Sequence, residues 1–358
     1  KIYSLPLFII GIMKSGNVYV PVDPKYSESR LNYIIQDTDC KCIITNKKYS
    51  DFISSISSIS SISCIYIEEF NYELENNIKY IDKNSRHAYI IYTSGTTGKP
   101  KGTLITHYNF INSLYRYKIV ENKNGCMFTS INWDIHLMEL FIPLIYGKTV
   151  FISDIFYSDI PKNVEWIIGT PSVMSKIELL DNIKVGICVG ELMTETCWNN
   201  IKHVPEIYNT YGPSECCSLS TYHKMSKFSS NIGKPFADYN TYVIRNNKLC
   251  SIGIIGELWI GGIGVSDGYL NMQDLTNEKF ISFEGDIVYK TGDLVRWNED
   301  GELERFLSYE NVKKVTKGIP SQCKACSNIY DNMLLFSLQK LFRTNPNEVR
   351  MILVDPKR

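Results

Sequence analysis

The most constraining stretch of the chain is residues 92–102, Tyr-Thr-Ser-Gly-Thr-Thr-Gly-Lys-Pro-Lys-Gly, which follows directly on the apolar run at residues 88–91. A short apolar run closed by such a turn reads as a buried strand that delivers its backbone to an anion. Gly95 and Gly98 allow close approach, the hydroxyls of Thr93, Ser94, Thr96 and Thr97 can donate to phosphate oxygens, and Lys99 and Lys101 add positive charge. Eleven consecutive residues of this kind exceed what a solvated turn requires. The loop is not of the Walker type, because only two residues separate Gly95 from Gly98 where that motif needs four, and Pro100 stands where Ser or Thr should bind magnesium.

Around the loop, strand-like runs at residues 42–45, 88–93, 149–153 and 185–189 alternate with helical segments at residues 29–37 and 109–117. That alternation predicts an α/β fold with parallel sheet. Residues 18–22 (Val-Tyr-Val-Pro-Val) read as a buried strand, and the Ser/Ile repeat at residues 54–63 as a surface excursion. From about residue 241 the texture becomes short, glycine-bounded and β-rich, so a smaller β subdomain is expected to start near Ile232.

With 38 basic and 38 acidic residues, no strong field favours nucleic acid or an anionic membrane. The apolar run at residues 5–13 is too short for a bilayer span and lacks a small-residue cleavage site, so the expectation is cytoplasmic. Eleven cysteines without a dense, even spacing fit reduced thiols, and Cys323-x-x-Cys326 has no second pair to make it a zinc site. A chain beginning at Lys1 reads as a fragment or a processed product.

The loop resembles the signature of the adenylate-forming superfamily, which includes acyl-CoA synthetases, luciferases and the amino-acid adenylation domains of nonribosomal peptide synthetases. Further segments resemble that last group in its expected order: residues 15–24 (Ser-Gly-Asn-Val-Tyr-Val-Pro-Val-Asp-Pro), 209–215 (Asn-Thr-Tyr-Gly-Pro-Ser-Glu), 256–271 and 289–297 (Tyr-Lys-Thr-Gly-Asp-Leu-Val-Arg-Trp). Five ordered blocks over residues 5–305 are far more specific than one. The resemblance implies the large N-terminal core of the adenylate-forming fold, with two αβ subdomains in residues 1–231 and a small β-barrel-like subdomain in residues 232–305. Residues 306–358 stand as a degenerate hinge and an unplaced tail.

Roles follow from the resemblance. Tyr211 offers a face to adenine, with Gly190, Glu191, Asn209 and Gly212 around the base, and Asp293 suits the ribose diol because a carboxylate accepts from two hydroxyls. Glu215 resembles the magnesium carboxylate. Lys101 and His107 are the candidate catalytic groups, His107 by positioning the substrate carboxylate. Asp134 stands where amino-acid-activating members meet the substrate's α-ammonium, which favours an α-amino acid. The remaining pocket positions are Ile135, Met138, Ile168, Ile187, Val189, Thr210, Ser218 and Leu219, none ionisable, which suits a mid-sized neutral or apolar side chain. His136 reads as a packed histidine.

The implied reaction is attack of the amino-acid carboxylate on the α-phosphorus of ATP, with Mg2+ as cofactor and pyrophosphate released. A phosphopantetheine thiol on a peptidyl or acyl carrier protein domain then takes the acyl group. Against the family pattern, Ser308, Tyr309 and Asn311 stand where its hinge has Gly, Arg and Asp, and the C-terminal lid with its lysine is missing. Slow or no turnover by these residues alone is therefore expected. A non-catalytic nucleotide or amino-acid binding protein, and an acyl-CoA synthetase or aminoadipate-reductase-like member, stay open as alternatives.

Overall fold

The computed structural model of the protein describes residues 4–56, 62–70, 86–94, 99–153, 160–179 and 181–308. Gly95, Thr96, Thr97 and Gly98 of the loop, residues 57–61 of the Ser/Ile repeat, Tyr309 and Asn311 of the hinge and the Cys323/Cys326 pair lie outside the described residues.

Two helices open the chain. In α1 (Leu5–Lys14) Pro6 sits in the first turn, where a missing amide costs nothing, and Phe8 and Ile9 are buried. In α2 (Glu28–Asp37) the Ser27 hydroxyl accepts from the Arg30 amide, and Leu31, Ile34 and Ile35 form one buried stripe. Strand β1 (Cys42–Thr45), helix α3 (Ser50–Ser55) and strand β2 (Ser63–Tyr66) follow, with β1 and β2 paired in parallel. The repeat is not wholly a surface excursion. Ile56 is buried against α2 and Ser63 begins β2, because an isoleucine every third residue supplies apolar groups that this small cluster takes up.

Strands β3 (His87–Thr93) and β4 (Lys101–Thr106) form an antiparallel pair that brings Thr93 opposite Lys101 across the loop. The strand expected at residues 18–22 reduces to one bridge. The Tyr19 amide donates to the Ala88 carbonyl and the Tyr19 carbonyl accepts from the Ile90 amide. Pro21, next on that side, has no amide with which to continue the ladder. Helix α4 (His107–Leu114) starts two residues earlier than the apolar pattern indicates, because Thr106 and Asn109 close a capping box, and it ends before Tyr115.

The parallel part of the main sheet contains β5 (Gly125–Met127), then α5 (Ile135–Ile145), β6 (Val150–Ile152), β7 (Trp166–Gly169), α6 (Pro171–Met174), β8 (Val185–Cys188), α7 (Glu195–Ile201) and β9 (Glu206–Tyr211). Strands β5 to β9 pair in parallel in the order β6-β5-β7-β8-β9. As expected for strands covered on both faces, β7 and β8 are buried throughout.

The rest is antiparallel: β10 (Thr221–Met225), β11 (Asn231–Pro235), β12 (Tyr239–Arg245), β13 (Lys248–Leu249), β14 (Gly256–Gly262), helix α8 (Gln273–Lys279), β15 (Phe280–Phe283), β16 (Asp286–Trp297) and β17 (Leu303–Ser308). Strand β11 pairs with β10 on one side and with β17 on the other, so both halves belong to one 13-stranded sheet.

At Gly233 within β11, φ is +76° and an added Cβ would lie 1.8 Å from the Tyr222 carbonyl oxygen. Only glycine fits there. Gly233→Ala is expected to cost about 3 kcal/mol or more, since both left-handed strain and a backbone clash arise; urea denaturation of the variant measures it.

Candidate functional site

Strands β5, β7, β8 and β9 run in one direction, and the sequence-marked residues gather at their carboxyl ends, the usual crevice of an open α/β sheet. Asp134 follows β5 at the head of α5, Thr170 follows β7, Gly190 and Glu191 follow β8, and Gly212 follows β9. After Gly212 the chain doubles back so tightly that an added Cβ there would be 2.1 Å from the Ser218 carbonyl oxygen. Cys217 and Ser218 hold positive φ values of 56° and 75°, a strained pair for residues with side chains.

Asp134 makes no side-chain cap hydrogen bond to its own helix; its buried Oδ2 has the buried Ser218 hydroxyl as a neighbour, but among the described residues neither has a partner in full hydrogen-bond geometry. Burial pushes the Asp134 carboxyl up to about 6, with the Ser218 hydroxyl acting the other way and the Glu215 charge adding to the rise. Ile135, Met138, Ile168, Ile187, Val189 and Leu219 all belong to one buried apolar cluster with Tyr211. Thr210 is buried beside them and donates its hydroxyl to the Cys188 carbonyl at 2.8 Å.

Lys101, at the start of β4, forms a compact charged cluster. Its Nζ donates to Glu215 Oε1 at 3.0 Å and to the Tyr269 hydroxyl at 2.9 Å, and that hydroxyl donates to the same Oε1 at 2.6 Å. The Tyr289 hydroxyl oxygen lies 3.4 Å from that of Tyr269. Burial alone would raise the Glu215 carboxyl, but the Lys101 charge and the hydrogen bonds from Tyr269 and Lys101 outweigh it and hold the group below the usual carboxylate range. Glu215 is thus an ionised, hard oxygen donor. Among the described residues no group of three or more His, Cys, Asp or Glu side chains is placed to hold a metal alone.

Tyr211, at the end of β9, donates its hydroxyl to Asp293 Oδ2 at 2.7 Å. Both are buried, and the Arg305 guanidinium reaches the same place from β17. The two clusters are joined twice along the chain: Tyr211 and Glu215 are four residues apart, and so are Tyr289 and Asp293 on β16. Asn209 donates through Nδ2 to the Asn231 carbonyl, leaving its buried Oδ1 without a partner among the described residues. Glu191 is exposed and accepts from the Ser172 amide and hydroxyl.

His107 is not brought to this site. It stands at the opposite end of β4 from Lys101, about 20 Å away at roughly 3.3 Å per strand residue. There it lines a separate open cavity of about 600 Å³ with Lys14, Arg86 and Asp267. Burial and the neighbouring His87 lower its pKa. His136 is packed, with its ring bonded to the Trp133 carbonyl and the Tyr19 hydroxyl. Thr93 ends β3 with a buried hydroxyl that has no partner among the described residues, while Ser94 and Lys99 are exposed. Sequence reasoning assigned nothing to Tyr269, Tyr289 or Arg305. The first two lie inside segments already marked, whereas a single arginine in β17 carries no signal of its own.

A sequence model of the family described as AMP-binding enzyme matches residues 1–270, and the chain belongs to that family. Among known proteins it is 32% identical over 329 residues to tyrocidine synthase 3 of Brevibacillus parabrevis and 31% identical over 320 residues to tyrocidine synthase 1 of the same organism. Each alignment covers 83% of this chain but only 5% and 29% of those relatives, so the chain spans a minor part of their length. Among solved structures it resembles holo-AB3403, a four domain nonribosomal peptide synthetase bound to AMP and glycine, with a TM-score of 0.74 and 26% identity over 86% of this chain and 25% of that one. The N-terminal subdomain of Klebsiella oxytoca NpsA shares the fold at a TM-score of 0.70 and 19% identity, over 84% and 83% of the two chains. The mixed α/β architecture expected from the sequence is therefore that of the N-terminal adenylation core.

Two consequences for stability follow. Lys101→Met strands a buried carboxylate and is expected to cost about 3–5 kcal/mol, most of it recovered in the Lys101→Met/Glu215→Gln double variant; denaturation of the four proteins of the cycle measures this. Asp134 has a raised folded pKa, so the folded state is penalised above pH 6 and relieved as pH falls toward 4. Asp134→Asn is accordingly expected to stabilise the protein by about 2–3 kcal/mol at pH 8 and by almost nothing at pH 4, read from melting curves across pH.

Proposed function

We propose that the protein binds ATP and an amino acid side by side and joins the amino-acid carboxylate to the α-phosphorus of ATP, giving an aminoacyl-adenylate and pyrophosphate. The observation that carries this reading is the tightly folded segment 209–219. It presents Tyr211 at one cluster, Glu215 at the next and Ser218 beside Asp134. That order matches a nucleoside, a phosphate and an ammonium group. The likeness to a synthetase bound to AMP and glycine supports it.

On this reading Tyr211 and Asp293 take the adenosine, with Gly190, Glu191, Asn209 and Gly212 bordering the base. Thr93 and Ser94 are assigned to the phosphates, as are Gly95, Thr96, Thr97 and Gly98 by their place in the sequence motif. A lone ionised carboxylate suits Mg2+, which commonly takes one or two protein carboxylates and shares its other sites with phosphate oxygens, so Glu215 is the residue that would hold it. When bound, the metal neutralises phosphate charge. Lys101 offsets the Glu215 charge and adds a cation beside the phosphates, so the protein's contribution is positioning and electrostatics rather than a covalent nucleophile.

Asp134 takes the α-ammonium, and the apolar surroundings of Ile135, Met138, Ile168, Ile187, Val189 and Leu219 fit a mid-sized neutral or apolar side chain. His107 has no part in this assignment because it lies at the far end of β4. The same reading divides the chain near residue 231 into αβ and β parts. It also makes a phosphopantetheine thiol on a carrier domain the acceptor of the activated acyl group.

Calorimetry with a panel of amino acids in the presence of ATP and Mg2+ tests the proposal. Asp134→Asn is expected to weaken amino-acid binding about 100-fold while leaving ATP binding within about twofold. Wild-type amino-acid affinity should also fall as pH drops below about 6, because protonation removes the Asp134 charge. Amino-acid binding that ignores both changes removes the ammonium site, and deaminated acids that bind as well as amino acids point to a different acid substrate.

A further inference from the structure

Arg305 falls outside the segments that mark the family, yet it reaches the centre of the site. Strand β17 places it opposite Val295 of β16, and its guanidinium carbon stands 4.9 Å from the centroid of the Tyr211 ring. One terminal nitrogen donates to Asp293 Oδ2 at 3.1 Å, the same oxygen that accepts the Tyr211 hydroxyl. With Arg305 in place the Tyr211 residue is 6% exposed and Asp293 8%. The aromatic face and the carboxylate that a nucleoside needs are therefore already occupied by one side chain.

We propose that Arg305 is an internal gate on the nucleoside end of the site: it mimics the ligand by stacking on Tyr211 and pairing with Asp293, and an incoming adenosine group must displace it. The proposal rests on the reading of Tyr211 and Asp293 as nucleoside contacts. The arrangement is suited to opening. Among the described residues the Arg305 Nε is buried without a hydrogen-bond partner, and the side chain is held there by one charge-assisted bond and one ring contact. Its backbone stays in the β16–β17 ladder while the flexible side chain swings out. A ring face and a carboxylate covered by a cation in the empty protein exclude other planar or cationic molecules. They also lower the affinity for every adenosine-bearing ligand by a common factor.

Binding of adenosine, AMP and ATP with Mg2+ is measured by calorimetry on the full chain and on Arg305→Met, Arg305→Lys, Tyr211→Ala and Asp293→Asn. Arg305→Met is expected to tighten all three ligands by the same factor, about tenfold, and Arg305→Lys to fall between it and the wild type, since lysine keeps the ion pair but stacks less well. Unchanged or weaker binding by Arg305→Met, while Tyr211→Ala and Asp293→Asn bind weakly, overturns the gate and leaves the nucleoside site standing. A gain confined to ATP also overturns it, because it places Arg305 at the phosphates. If Tyr211→Ala and Asp293→Asn bind all three ligands as the wild type does, the nucleoside reading fails and the gate fails with it.

Discussion

The Glu215 carboxylate is buried, and the protein keeps it ionised by bringing Lys101 and Tyr269 onto a single oxygen. Much else is tied to that contact. Lys101 belongs to the start of β4, Glu215 to the turn after β9, and Tyr269 to the stretch between β14 and α8, so three distant parts of the chain meet at one charge. A buried charge without such partners costs several kcal/mol, which makes the mutual position of these parts a condition of folding as well as of chemistry.

Asp134 and Glu215 show how one crevice holds two carboxylates in different states. Both are buried, but Glu215 has a cation at hydrogen-bond distance and Asp134 has only hydroxyl and amide neighbours, so their affinities for protons move in opposite directions. The Asp134 end carries an unmet demand for positive charge, whereas the Glu215 end has been met from within. The Tyr211–Asp293 end resembles the second case, with Arg305 as the internal partner.

Much of this was legible in the sequence because it depends on local patterns. The run of apolar residues in β3 and the Asn-Thr-Tyr-Gly-Pro-Ser-Glu stretch each report a backbone requirement within a few residues. Gly212 is the clearest case, since only a residue without Cβ passes the Ser218 carbonyl. What escaped was of two kinds. Residues 18–22 have strand composition, but Pro21 removes the amide that a second ladder bond needs, so the apolar pattern overstated the strand. The resemblance assigns His107 a catalytic part from its place soon after the loop, but an extended strand carries it away from Lys101. Tyr269 and Arg305 depend on pairings across 168 residues to Lys101 and 12 to Asp293, and neither has a periodicity to betray it.

Strand β11 has a consequence for synthesis on the ribosome. Its first edge can pair with β10 as soon as residues 221–235 have emerged, but its other edge waits for β17, about seventy residues later. Through that interval the growing chain exposes a row of unsatisfied amides and carbonyls next to a nearly finished parallel sheet, a surface prone to pairing with a neighbouring nascent chain. The antiparallel meander of β12 to β16 fills the same interval with short-range pairings, so β17 on arrival finds both of its neighbours, β11 and β16, already formed.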